Sequence, residues 1–181
     1  MIETVVESIR VSLVTQHRVV ILKEVDGERH LPIWIGSYEA EAIAMELQGV
    51  TASRPLPYDL MRSIIGDMGG SVDRIAVTDL SDDVFYARII LRQDGREVEI
   101  DSRPSDAIAL AVRARVPILV DDSVMDKAGV ILSAEDEGEG DETSEPEPER
   151  SGDVVDEERL SVFRDFINTL DLDDFDRKTG N

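Results

Sequence analysis

The chain has 181 residues, with 40 Asp or Glu against 19 Lys or Arg and a formal net charge of −21. It holds no cysteine, which excludes a disulfide framework, a thiolate metal site and a cysteine nucleophile. A field of that sign opposes phosphate backbones, so any nucleic-acid role needs a local basic site or bound cations.

The charge is uneven. Residues 134–181 carry 18 acids and 5 bases, net −13, and residues 1–133 carry 22 acids and 14 bases, net −8. No apolar run reaches the roughly 18 residues of a membrane span. Met1-Ile2-Glu3-Thr4 opens directly into strand-like sequence without a basic and then apolar leader. The expectation is a cytoplasmic protein that does not engage membranes.

Residues 3–14 alternate Val5, Ile9, Val11 and Leu13 with polar positions and predict a strand. Residues 18–25 and 28–35 predict two more, joined at Asp26-Gly27, a strong hairpin signal. Counting outward from that turn sets Glu24 opposite Arg29, Leu22 opposite Leu31 and Val20 opposite Ile33. Ser37 is the expected N-cap of a helix bearing Ala40, Ile43, Ala44 and Leu47 on one face and closed by Gly49. A second helix is expected from Tyr58 or Asp59 to Met68, stopped by Gly69-Gly70.

Residues 72–80 and 84–92 read as strands around a Ser81-Asp82-Asp83 turn, and Asp94-Gly95 leads into a strand over 96–101. A two-residue turn there pairs Arg92 with Glu97, Leu91 with Val98, Ile89 with Ile100 and Arg88 with Asp101, leaving one apolar and one charge-matched face. From Ala107 the period becomes helical, through Ile108, Ala111, Val112 and Arg115. A short strand at 116–120 and a helical turn at 122–128 follow. The globular domain is expected to span 1–133. Residues 134–158 form an acidic linker without an aromatic, which cannot bury enough apolar surface to order itself. Residues 159–176 carry Leu160, Phe163, Ile167 and Leu170 on one helical stripe, and 177–181 form a tail. A helix that short is marginal in water and must dock on something.

The chemistry concentrates where strand passes into helix, at Asp101-Ser102-Arg103-Pro104-Ser105-Asp106. Proline suits a first helical position, which places Ser105 and Asp106 in the first turn, where free N–H groups favour oxygen ligands. Locally, the ordinary roles of such residues are capping and pairing of Arg103 with Asp101 or Asp106. His17 and His30, the two histidines, accompany no G-x-S-x-G serine, and Rossmann and Walker glycine patterns are absent. Hard-oxygen chemistry remains. Asp101 and Asp106, with Glu39, Glu41 or Asp59 brought in by folding, could hold Mg²⁺ or Mn²⁺, and Arg103 could clamp phosphate.

Three stretches resemble the bifunctional nuclease family: Leu31-Pro32-Ile33-Trp34-Ile35-Gly36 with Glu39-Ala40; Arg54-Pro55 before Asp59-Leu60; and the run from Ile100 to Ala111. The similarity covers residues 1–133, and Phe163-Arg164-Asp165-Phe166 also resembles the tail of bacterial members. The resemblance implies an α+β fold, a strongly bent and mainly antiparallel sheet with packed helices, assembled as a homodimer or larger. It implies hydrolysis of DNA and RNA, with Asp101, Arg103, Ser105 and Asp106 as catalytic candidates; the hard-oxygen reading of the residues adds Asp101, Asp106, Glu41 and Asp59 as metal candidates. Where many members carry Thr-His before the Asp-Leu pair, this chain has Pro57-Tyr58. The competing expectation is a non-catalytic oligomeric binding or regulatory module in which the corner is a structural hub; the acidity of residues 1–133 favours it.

Overall fold

The computed structural model describes residues 1–11 and 17–131. The expected linker, C-terminal helix and tail, and the end of the first predicted strand, lie outside the described residues. Eight strands and four helices alternate as an α+β fold. They are β1 (Ile2–Val11), β2 (Arg18–Glu24), β3 (Arg29–Ile35), α1 (Ser37–Leu47), α2 (Pro57–Asp67), β4 (Gly70–Ser81), β5 (Val84–Gln93), β6 (Arg96–Ser102), α3 (Pro104–Ala114), β7 (Ile118–Val120), α4 (Asp122–Ala128) and β8 (Val130–Ile131).

The strands form one sheet in the order β6-β5-β4-β7-β1-β2-β3-β8. β4 and β7 run parallel, and every other described pair is antiparallel. Both hairpin registers follow from their turns. Leu22 faces Leu31 and Val20 faces Ile33 across β2–β3. Leu91 faces Val98, Ile89 faces Ile100 and Arg88 faces Asp101 across β5–β6. Asp94 and Gly95 both take positive φ, 50° and 74°, the geometry that a tight two-residue hairpin turn demands.

Extra residues interrupt the pairing at Glu7 in β1 and at Asp73 and Thr78 in β4. Such bulges bend a strand and raise its twist. The bulge at Asp73 also redirects charge. Arg92 and Glu97 are paired in register, yet Arg92 binds Asp73 at 2.9 Å while Glu97 takes Arg74 at 2.6 Å.

The helices depart from the sequence reading at their ends. Gly36, and not Ser37, is the N-cap of α1, and Leu47 at its far end is exposed. Leu56 precedes α2, whose Pro57 takes the first helical position. α3 starts at Pro104 as expected but stops at Ala114, because Arg115 turns to φ 56° and leaves the helical path.

The core is built on α3. Ala107, Ile108, Ala109, Leu110 and Ala111 are completely buried and pack with Val20, Leu22, Leu31, Ile33, Ile43, Ile75 and Val77. Three alanines in five residues let this helix lie close to its neighbours on every side. α2 is held more loosely: of its residues only Tyr58 is buried, and Leu60 and Ile64, with Met68 just beyond its end, are exposed. Chemical denaturation should register the contrast. Ile108→Ala is expected to cost about 2–5 kcal/mol, and Leu60→Ala less than about 0.5 kcal/mol; equal costs would contradict a core centred on α3.

Candidate functional site

The corner forms where the edge strand β6 ends and α3 begins. Arg103 occupies the N-cap position with extended backbone (φ −69°, ψ 145°) and Pro104 the first helical position, so Asp106 lies at the third. Its carboxylate accepts two bonds: Tyr58 Oη–H donates to Oδ1 at 2.8 Å, and Arg103 Nε–H donates to Oδ2 at 2.7 Å. Arg103 Nη2 continues the chain to Glu39 Oε1 at 2.8 Å, which ties the first turn of α1 to the first turn of α3. Gly36 makes room for this. A Cβ there would sit 2.2 Å from Glu39 Oε2, so any side chain would displace the carboxylate that holds Arg103.

Tyr58 is set from behind. The Arg113 guanidinium lies 5.7 Å from the centre of its ring, within cation–π range. Arg113 is buried, with Nε donating to Asp59 Oδ1 at 2.8 Å and Nη1 to the Ala42 carbonyl at 2.9 Å. Asp59 Oδ2 meanwhile accepts the Leu56 N–H at 2.8 Å, covering a free donor at the start of α2. Arg62 Nη1 adds a bond to the Arg113 carbonyl at 2.8 Å. The first half of the half-exposed helix α2 is thus fastened by polar contacts to both ends of α3.

The sequence-predicted residues divide accordingly. Arg103 and Asp106 are brought together, and Arg103 remains 67% exposed in its side chain. Asp101 stands on β6 with its side chain 72% exposed, 3.7 Å from Arg88 across the hairpin. Ser105 is buried in the first turn. Asp59 belongs to Arg113, and Glu41 is exposed on α1. The expected metal donors therefore do not converge. Among the described residues no three His, Asp or Glu side chains lie close enough to share an ion. Asp106 and Asp59 each have both oxygens engaged by protein donors, so the described residues hold no preformed multi-carboxylate site for Mg²⁺ or Mn²⁺. Tyr58 and Arg113 were not singled out as site residues in the sequence, and Glu39 only as a further acid near the corner. The one available signal was Tyr58 at the place where many members have histidine.

Asp101, Ser102, Arg103 and Asp106 rim a shallow cleft of about 480 Å³. Its walls are apolar: Met61 and Ile65 of α2, Ile89 of β5, Ile100 of β6 and Leu110 of α3. Arg103 is the one basic residue lining it among the described residues. Its two carboxylate partners hold its pKa above the ordinary guanidinium value, Asp106 more than Glu39, so it is a permanent cation. It can present a positive charge and spare N–H donors to an anion entering the cleft.

A family model described as the bifunctional nuclease domain matches residues 20–133. An uncharacterized Mycobacterium tuberculosis protein is 37% identical over 173 residues, covering 96% of this chain and 97% of the relative. Bifunctional nuclease 1 of Oryza sativa subsp. japonica and Bifunctional nuclease 1 of Arabidopsis thaliana are each 32% identical over 108 residues, 58% of this chain. The match spans 33% of each plant protein's length. No helix among the described residues is long and apolar enough to cross a membrane.

Tyr58 supplies the test of this network. Burial first, and then the bond to Asp106, push its phenol well above the ordinary value of 10.0. The folded state holds that proton more tightly than the unfolded chain, so the stabilisation is complete below about pH 10 and is lost as pH rises beyond it. Tyr58→Phe should cost about 1–2 kcal/mol at neutral pH and make the alkaline fall in stability shallower. Identical alkaline limbs in melting curves of both proteins would contradict the assignment.

Proposed function

Because the chain belongs to the bifunctional nuclease domain family, we propose that it binds nucleic acid at the β6–α3 corner and hydrolyses phosphodiester bonds of DNA and RNA. The observation that carries this reading is the state of Arg103. Asp106 and Glu39 fix its guanidinium through two of its five N–H donors, and the other three stay available at the cleft rim. A preset, exposed guanidinium suits phosphate oxygens, and its charge stabilises the extra negative charge that develops as the bond to phosphorus breaks.

Asp101 is the rim carboxylate least occupied by protein partners and the best placed to take a proton from attacking water. That water's oxygen then bonds to phosphorus, and the leaving oxygen takes a proton from solvent. Asp106 and Glu39 position Arg103, and Ser105 holds the turn. No step is routed through Mg²⁺ or Mn²⁺, since the carboxylates do not gather around an ion. The reading extends to a cytoplasmic homodimer or larger assembly, for which Leu60 and Ile64 on α2 and Met68 at its C-cap offer exposed apolar surface.

The satisfied state of Asp106, Asp59 and Glu39 favours a second reading, a non-catalytic oligomeric binding or regulatory module with the corner as its hub. Hydrolysis assays on purified protein separate the two. Asp101→Asn and Arg103→Ala are each expected to lower cleavage about 10²-fold or more while melting close to wild type. Absence of cleavage by the wild type, with Mg²⁺, Mn²⁺ or a chelator, would overturn hydrolysis and leave the module. Cleavage abolished by the chelator alone would mean that substrate brings in a cation that these carboxylates do not gather unaided.

A further inference from the structure

The cleft beside Arg103 is built for something other than phosphate. We infer that it receives an unpaired nucleobase while Arg103 holds the adjoining phosphate, so that the substrate class is single-stranded nucleic acid. This rests on the reading that nucleic acid enters at the β6–α3 corner.

Size and lining agree with it. About 480 Å³ lies within the range of pockets that hold small organic groups, with apolar walls and a few polar groups at the edge. Phosphate gains nothing from Met61, Ile65 and Ile100. A base does: although no aromatic ring among the described residues lines the cleft, covering the faces of a base with aliphatic side chains removes apolar surface from water whatever the sequence. In a duplex those faces are stacked on their neighbours, and the surface on offer is backbone.

Charge points the same way. Double-stranded DNA carries one negative charge per about 1.7 Å of its axis, and proteins bind it by neutralising many of them. Two arginines of the adjoining strands are engaged elsewhere, Arg74 with Asp73 and Glu97 and Arg92 with Asp73, and Arg88 stands 3.7 Å from Asp101. With residues 1–133 at net −8, a long duplex meets repulsion, whereas one phosphate on Arg103 and one base in the cleft do not require a basic surface.

The test is a binding measurement that needs no turnover. A phosphorothioate single strand of about ten nucleotides, labelled for fluorescence anisotropy, is compared with the same sequence as a blunt duplex. The single strand is expected to bind at least about 10-fold more tightly, with a log–log salt slope near −1, the mark of one or two phosphate contacts. Met61→Ala and Ile100→Ala should each weaken it about 3- to 10-fold without comparable loss of melting temperature. Equal or tighter duplex binding, a salt slope of several units, or indifference to both substitutions would overturn the inference. Competition by a free nucleoside monophosphate at the strand's own concentrations would overturn the assignment to a strand. The two readings fail separately: cleavage with equal binding of both substrates spares hydrolysis and removes the inference, whereas strand-selective binding without cleavage does the reverse.

Discussion

The two bonds accepted by Asp106 hold the site in place. One oxygen takes the Tyr58 hydroxyl and the other takes Arg103, which goes on to Glu39, so α1, α2 and α3 meet along one chain of bonds. The consequences run in both directions. Outward, Arg103 is fixed between Asp106 and Glu39 with donors to spare. Inward, Tyr58 rests on Arg113, which reaches Asp59 and the Ala42 carbonyl. A fixed cation at the mouth of an apolar cleft loses less freedom on meeting an anion than a free surface arginine does. That is how a strongly acidic chain can present one useful positive charge.

The fold makes this affordable in steric terms. α3 starts at the end of an edge strand, so its first turn is open while its remainder is among the most buried segments described. α2 forms the other wall; Tyr58, Met61 and Ile65 pack it against the core, and polar bonds to α3 add to that hold. The carboxylates that could have gathered around a cation serve instead as partners for arginine and tyrosine. The proposed phosphate capture draws on this arrangement, and the proposed hydrolysis depends on what Asp101 can do at the rim.

Much of the architecture was legible in the chain because it is encoded locally. Asp26-Gly27 and Asp94-Gly95 specified two hairpins, and counting from them yielded the right strand partners. Pro104 marked the start of α3 through its own ring geometry. The misses are of another kind. Arg92 took Asp73 because of a bulge on a third strand, which no pairwise count across one hairpin can foresee. Ser37 lost the cap position to Gly36, where Glu39 needs the space. In the site, Arg103 and Asp106 are near neighbours in sequence and were found together. Tyr58 and Arg113 lie 48 and 54 residues from their carboxylate partners, and only folding brings them there. Asp59 looked like a free acid for the same reason.

The central claim is that Arg103, held by Asp106 and Glu39, is where the phosphate of nucleic acid docks. Nitrogen-15 NMR of the arginine side chains reads it directly, by following the Arg103 Nε–H signal as a short single strand is added. The account predicts that this signal shifts in saturable fashion while those of Arg92 and Arg113 stay in place. Saturable binding that leaves Arg103 unmoved, or that moves another arginine instead, would contradict it.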